Sequence, residues 1–123
     1  MGEKRKYPRI QTSLPITLID CGWDVVTTTK NLRASGAYCA IDKPLEVMTK
    51  LDIKLLLPAK DRWQKNPKEI HCKGVVVRNE YVKNNGKHAY HVGIYFNEIK
   101  ERDKKFLLSY INSHLKITDT KPR

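Results

Sequence analysis

The 123-residue chain has only three cysteines, Cys21, Cys39 and Cys72, and no two of them stand in a CxxC pair. Neither a disulfide framework nor a cysteine-rich zinc site is implied, so reduced thiols are expected. The chain also lacks any apolar run near the roughly 20 residues of a membrane span. Its first residues hold charges where a signal peptide needs an apolar stretch, and a cytoplasmic protein without membrane insertion is expected. There is no GxSxG elbow and no glycine-rich phosphate loop, and Asp and Glu are scattered without a paired signal. The histidines are poorly spaced for a metal: His88 and His91, three apart on one strand, face opposite ways. These absences argue against an enzyme and against a bound cofactor.

Positive charge is abundant. Lys and Arg number 24 against 13 Asp and Glu, a formal +11, far beyond what solubility requires. An anionic partner is implied. Nucleic acid, an acidic membrane surface, a small phosphorylated ligand and an acidic protein face all fit that charge, and only its position along the chain separates them. The length suits one compact domain and leaves no room for a second core of similar size.

Residues 1–13 carry Lys4, Arg5, Lys6 and Arg9 with few large apolar groups, and are expected to form a flexible basic arm outside the fold. Alternation of Leu14, Ile16 and Leu18 with polar neighbours predicts a strand to Asp20, followed by a turn at Cys21-Gly22. The β-branched run from Val25 predicts a second strand ending at Asn31, and Asn31 to Gly36 is expected to be an irregular loop. Ala37 to Ile41 and Leu51 to Leu57 read as further strands, the latter with the clearest alternation in the chain. Pro58 to Lys68 reads as a long exposed connection in which Trp63 either anchors a partner or packs locally. A strand from Ile70 through Val77 runs on toward Val82. Asn85-Gly86 predicts a hairpin into Ala89 to Phe96, with Tyr90, Val92, Ile94 and Phe96 on one face.

One helix is expected, from about Glu101 to His114, because Leu107, Ile111 and Leu115 recur at fourfold spacing. Glu101 and Asp103 in its first turn suit the helix dipole. Together these elements predict an all-β fold with one helix: a six-stranded antiparallel barrel at 14–117, closed by the C-terminal helix, with a disordered tail at 118–123.

Two polar constellations stand out. Arg5 and Arg9 form an RxxxR pair, and Pro8 disfavours helical geometry between them, so their relative placement must come from a ligand. Guanidinium forks match phosphate oxygens and the O6 and N7 acceptors of guanine. Asn31-Leu32-Arg33-Ala34-Ser35-Gly36 can present an amide, a hydroxyl and close-approaching backbone as a polar cup. Each also has a plain reading, as a solvated basic terminus and an ordinary hairpin corner.

Taken together, RxxxR followed by an NxxxxG segment between strands resembles the signature of PilZ domains. Arg5 and Arg9 match the first motif; Asn31 and Gly36 match the ends of the second, with Arg33 where the family has Ser. The likeness extends through KGVVVR at 73–78, HVGIYF at 91–96 and the LLSYI of the final helix. It implies a six-stranded barrel with a C-terminal helix and a bacterial receptor for cyclic di-GMP. By that resemblance Arg5 and Arg9 bind phosphate and a guanine edge, Asn31 hydrogen-bonds a base or nearby backbone, and Gly36 permits close approach. Ser35 adds a hydroxyl, and an outward Arg33 adds a phosphate partner.

Three functions therefore compete: a cyclic di-GMP receptor that relays the signal to a flagellar, pilus or other protein by ordering of its arm, a nucleotide-independent PilZ-like adaptor favoured by Arg33, and a nucleic-acid-binding barrel. The last is disfavoured, because the aromatic spacing of RNA-recognition modules is missing.

Overall fold

The structure, a computed structural model, describes residues 9–20, 22–58, 67–84 and 87–119, with backbone alone at positions 9, 84, 87, 88 and 115–119. Its strands are β1 (Arg9–Ile10), β2 (Pro15–Asp20), β3 (Trp23–Arg33), β4 (Gly36–Ile41), β5 (Lys50–Leu57), β6 (Lys68–Asn84) and β7 (Lys87–Ile99). One helix, α1 (Glu101–Asp119), follows. The strands pair in the order β1-β3-β2-β5-β6-β7-β4, and a β3–β4 pairing closes β2 to β7 into a six-stranded antiparallel barrel. This is the predicted architecture.

Period-two alternation decides which side chains fill the interior. In β5, Leu51, Ile53, Leu55 and Leu57 are buried while Lys50, Asp52 and Lys54 are exposed. Val92, Ile94 and Phe96 of β7 face them across the core, with Tyr90 packed against its edge. In α1 the fourfold stripe is continued by Asp103, Leu107 and Ile111, all buried. Each fully buried Leu or Ile there contributes about 1.5–3 kcal/mol. Asp103 ties the first helical turn to β6: past the end of the β6–β7 ladder the His71 N–H donates to its carboxylate at 3.3 Å.

The structure corrects several expectations. The segment 31–36 is not an irregular loop, because β3 continues to Arg33 and only Ala34 and Ser35 turn the chain into β4. The reason is that the register shifts at Lys30, between Thr29 and Asn31, and beyond that shift Leu32 is fully buried between Asn31 and Arg33, so the strand pairing with β4 runs on to Arg33. The segment 1–13 is not outside the barrel along its whole length. Arg9 and Ile10 pair with Arg33 and Leu32 of β3, and Ile10 and Leu14 bury in the core. Thr29 holds this stretch in place: its hydroxyl donates to the Thr12 carbonyl and accepts from the Leu14 N–H at 3.0 Å, while its own N–H donates to the Leu14 carbonyl. Thr12 also reaches the Tyr110 hydroxyl of α1 at 3.1 Å. The helix runs through Asp119, so positions 118 and 119 of the expected tail are helical. Arg5, Trp63, the Asn85-Gly86 turn and positions 120–123 lie outside the described residues, although Asn84 and Lys87 pair on either side of that turn.

Candidate functional site

The outer face of the barrel carries a cleft of about 360 Å³ where β3, β4, β7 and β6 lie side by side. Strand register explains its lining. One outward row crosses the four strands as Asn31, Tyr38, Gly93 and Arg78; the next runs Arg33, Gly36, Tyr95 and Val75. Each row contains one glycine, so the face dips where neighbouring rows carry side chains. Gly93 is the floor of the first row: a Cβ there would stand 3.1 Å from Cβ of Arg78 and 3.7 Å from Cδ1 of Tyr38. Gly36 is required more strictly, since a Cβ would come 2.2 Å from the carbonyl oxygen of Ile94. Its small size lets β4 lie against β7, and the Ser35 carbonyl accepts from the Phe96 N–H at 2.8 Å to hold the turn on that strand.

A β-bulge in β6 supplies the remaining wall. Val76 pairs with Ile94 and Arg78 with Gly93, so Val77 is an extra residue and both Val77 and Arg78 face outward. The Arg78 guanidinium lies 5.8 Å from the Tyr38 ring centre and 3.7 Å from Glu80. The Tyr38 hydroxyl donates to Glu80 at 2.8 Å. Burial, the hydrogen bond and the Glu80 charge all push the Tyr38 hydroxyl pKa up, against a smaller lowering by Arg78, so the phenol keeps its proton as a donor. His91 meets the same ring edge-on at 5.5 Å.

The residues singled out in the sequence gather here in part. Asn31, Arg33, Ser35 and Gly36 all line the cleft, and Arg33 is exposed at its rim. The backbone of Arg9 pairs with Arg33, which brings the arm's second arginine beside the segment 31–36. Arg5 lies outside the described residues. Tyr38, Val77, Arg78, Gly93 and Tyr95 also line the cleft; of these the sequence marks only Tyr38 and Tyr95, as aromatics that stack on bases or simply fill surface, with packing the plainer reading. The segments holding most of them, KGVVVR and HVGIYF, are visible in the sequence; the bulge that turns Val77 and Arg78 outward is not.

Among the described residues no three His, Cys, Asp or Glu side chains cluster as a metal site, and no helix is long and apolar enough to cross a membrane. Cys39 and Cys72 face inward, and burial pushes both thiols up to about 12, with the Asp103 charge adding to Cys72. Between the ordinary value of 9.0 and about 12 the unfolded chain loses thiol protons that the folded chain keeps, so stability falls as pH rises through that window. Urea midpoints on either side of the ordinary thiol value should show this fall, and a Cys39→Ala/Cys72→Ala variant should show less of it. An unchanged slope in that variant would assign the fall to other groups.

The sequence matches the PilZ domain family over residues 3–113, and the chain belongs to that family. No curated protein matches it. Among solved structures it is similar to the inhibitor of motility MotI/DgrA of Bacillus subtilis, with TM-score 0.76 and 19% identity over 94% of this chain and 53% of that one. It is likewise similar to the MrkH–c-di-GMP complex of K. pneumonia, with TM-score 0.74 and 14% identity over 98% of this chain and 56% of that one. The c-di-GMP-bound PilZ domain of YcgR from Escherichia coli gives TM-score 0.62 and 10% identity over 97% of this chain and all of that domain. These likenesses show the shared fold. The chain spans about half the length of the MotI and MrkH chains.

Proposed function

We propose that the protein is a receptor for cyclic di-GMP, bound in the cleft between the Arg5/Arg9 arm and the segment Asn31 to Gly36. The observation that carries this reading is the pairing of Arg9 with Arg33, which joins the two sequence motifs at one rim. Family membership and the c-di-GMP named for the MrkH and YcgR structures support it. So does the chemistry. Arg33 and Arg78 offer guanidinium forks to phosphate and guanine acceptors, Asn31 and Ser35 offer polar partners, and the Tyr38 and Tyr95 rings offer faces for bases. Ligand then draws the Arg5 end of the arm onto the cleft and changes the surface that a flagellar, pilus or other protein partner meets.

A second reading, the nucleotide-independent adaptor, rests on Arg33, a long cation where the family has a small hydroxyl. Calorimetric titration with cyclic di-GMP separates the two. The receptor reading expects Arg9→Ala and Arg5→Ala each to weaken binding about tenfold to a hundredfold with little change in melting temperature, since each lost charge-assisted contact is worth about 1.5–3 kcal/mol. It expects Arg33→Ser to keep binding with a shallower salt dependence, one phosphate partner having been removed. A parent chain that fails to bind while Arg33→Ser gains binding would establish the adaptor instead.

A further inference from the structure

Among the described residues six large apolar side chains are left half-exposed or more: Val26, Val47, Met48, Val77, Tyr81 and Tyr95. Four of them, Val47, Met48, Val77 and Tyr95, belong to one region. The turn Glu46–Thr49, closed by the Thr49 N–H donating to the Glu46 carbonyl, is clamped onto β6. The Met48 N–H donates to the Val76 carbonyl at 2.6 Å, the Val76 N–H donates to the Thr49 carbonyl at 2.9 Å, and the Asn79 amide donates to the Leu45 carbonyl at 2.8 Å. The turn therefore sits against the same β6 bulge that turns Val77 outward, and Val75 beside that bulge pairs with Tyr95.

Met48 is the informative residue. Its φ is 80°, the left-handed value of the third position of a type II turn, where glycine is favoured and a side chain costs free energy. Yet the residue there is a methionine, 69% exposed, with little burial to offset that cost. A strained, solvent-facing thioether gives the fold nothing that glycine would not, which points to a role outside folding.

We propose that Val47, Met48, Val77 and Tyr95 form a docking platform for an apolar segment of an acidic partner protein. The border of the platform sets the sign of the partner. Lys50 follows the turn and Arg33 lies in the same cross-strand row as Tyr95, while Arg78, next to Val77, and Glu80 offset each other as an ion pair and Tyr38 donates to Glu80 as well. Glu46 is the one carboxylate left in that border among the described residues, on a chain of net charge +11. Four partly exposed side chains fall short of the roughly 800 Å² that each partner of a stable dimer buries, so a short segment fits better than a second copy. Val77 and Tyr95 also line the cleft, so, resting on the receptor reading, nucleotide and partner each alter the other's affinity by the same factor.

The test is an NMR titration of the isotope-labelled full chain with a short synthetic peptide carrying leucine and phenylalanine anchors flanked by glutamates, beside one flanked by lysines. The glutamate peptide is expected to shift the amides of Val47, Met48, Val76, Val77 and Tyr95. Met48→Gly is expected to weaken it by about tenfold or more while melting at or above the parent temperature, because glycine relieves the positive φ. Equal binding by Met48→Gly, equal binding by the lysine peptide, shifts confined to another face, or concentration-dependent dimerisation through these residues would each overturn the platform. Cyclic di-GMP is titrated separately into the same sample. Failure there removes the receptor reading and leaves the platform standing; success there with a silent glutamate peptide does the reverse.

Discussion

Ile111→Asp is expected to unfold the domain or to lower its stability by about 4 kcal/mol or more, a large share of the roughly 5–15 kcal/mol that holds a small domain together. Ile111 is 1% exposed and shares the buried stripe of α1 with Leu107 and Asp103. A carboxylate there finds no cation on that stripe and adds a second negative charge to the one Asp103 already carries. Thermal melting followed by circular dichroism decides the matter. Asn112→Asp, on the exposed neighbour, is the control and should melt with the parent. An unchanged midpoint for Ile111→Asp would mean that the helix docks by another face.

Gly36→Ala is expected to have the second largest effect, and to strike stability and ligand binding together. The added Cβ meets the Ile94 carbonyl oxygen at 2.2 Å, and because that atom belongs to backbone no rotamer change relieves the contact. Either β4 moves away from β7 or the Ala34-Ser35 turn is rebuilt. Overpacking of this kind costs about 1–3 kcal/mol and more where backbone must shift. Gly93→Ala is the instructive contrast: its Cβ stands 3.1 Å from Cβ of Arg78, a tight contact that a shift of a few tenths of an ångström relieves, so it should narrow the cleft at a smaller cost in stability than Gly36→Ala. Urea unfolding of the two variants, paired with cyclic di-GMP titration, tests the distinction. If Gly36→Ala is as stable as Gly93→Ala, the close approach of β4 to Ile94 is not what glycine serves.

These cases show why parts of the molecule are legible in the sequence and others are not. Strict alternation in Leu51 to Leu57, and fourfold spacing in Leu107 and Ile111, report which side of an element is buried, and the barrel with its helix follows from them. Periodicity says nothing about register. That Asn31, Tyr38, Gly93 and Arg78 align into one row depends on pairings among strands separated by tens of residues, and on a bulge at Val77 that looks like any other valine in a β-branched run. The two-residue β1 is too short to show any period, so the docking of Arg9 and Ile10 depends on Thr29, far along the chain, rather than on a local signal. The turn at Met48 is equally hidden, since a methionine gives no hint of positive φ.

The candidate site divides in the same way. Asn31, Arg33, Ser35 and Gly36 stand out by motif resemblance and residue chemistry, and the structure places all four on one cleft. The aromatic and basic walls, Tyr38, Tyr95 and Arg78, come together only once the strands are laid side by side. Gly36 is needed for the contact between β4 and β7, whatever further room it leaves for a ligand.

The most direct test of the central claim is an isotope-edited NMR titration of the full chain with cyclic di-GMP. Saturable shifts are predicted for the amides of Asn31, Arg33, Ser35, Gly36, Tyr38, Arg78, Gly93 and Tyr95, together with new contacts from Arg5 and Arg9 to the ligand. A spectrum that does not change at saturating cyclic di-GMP, or shifts confined to the far face of β2 and β5, would contradict the account.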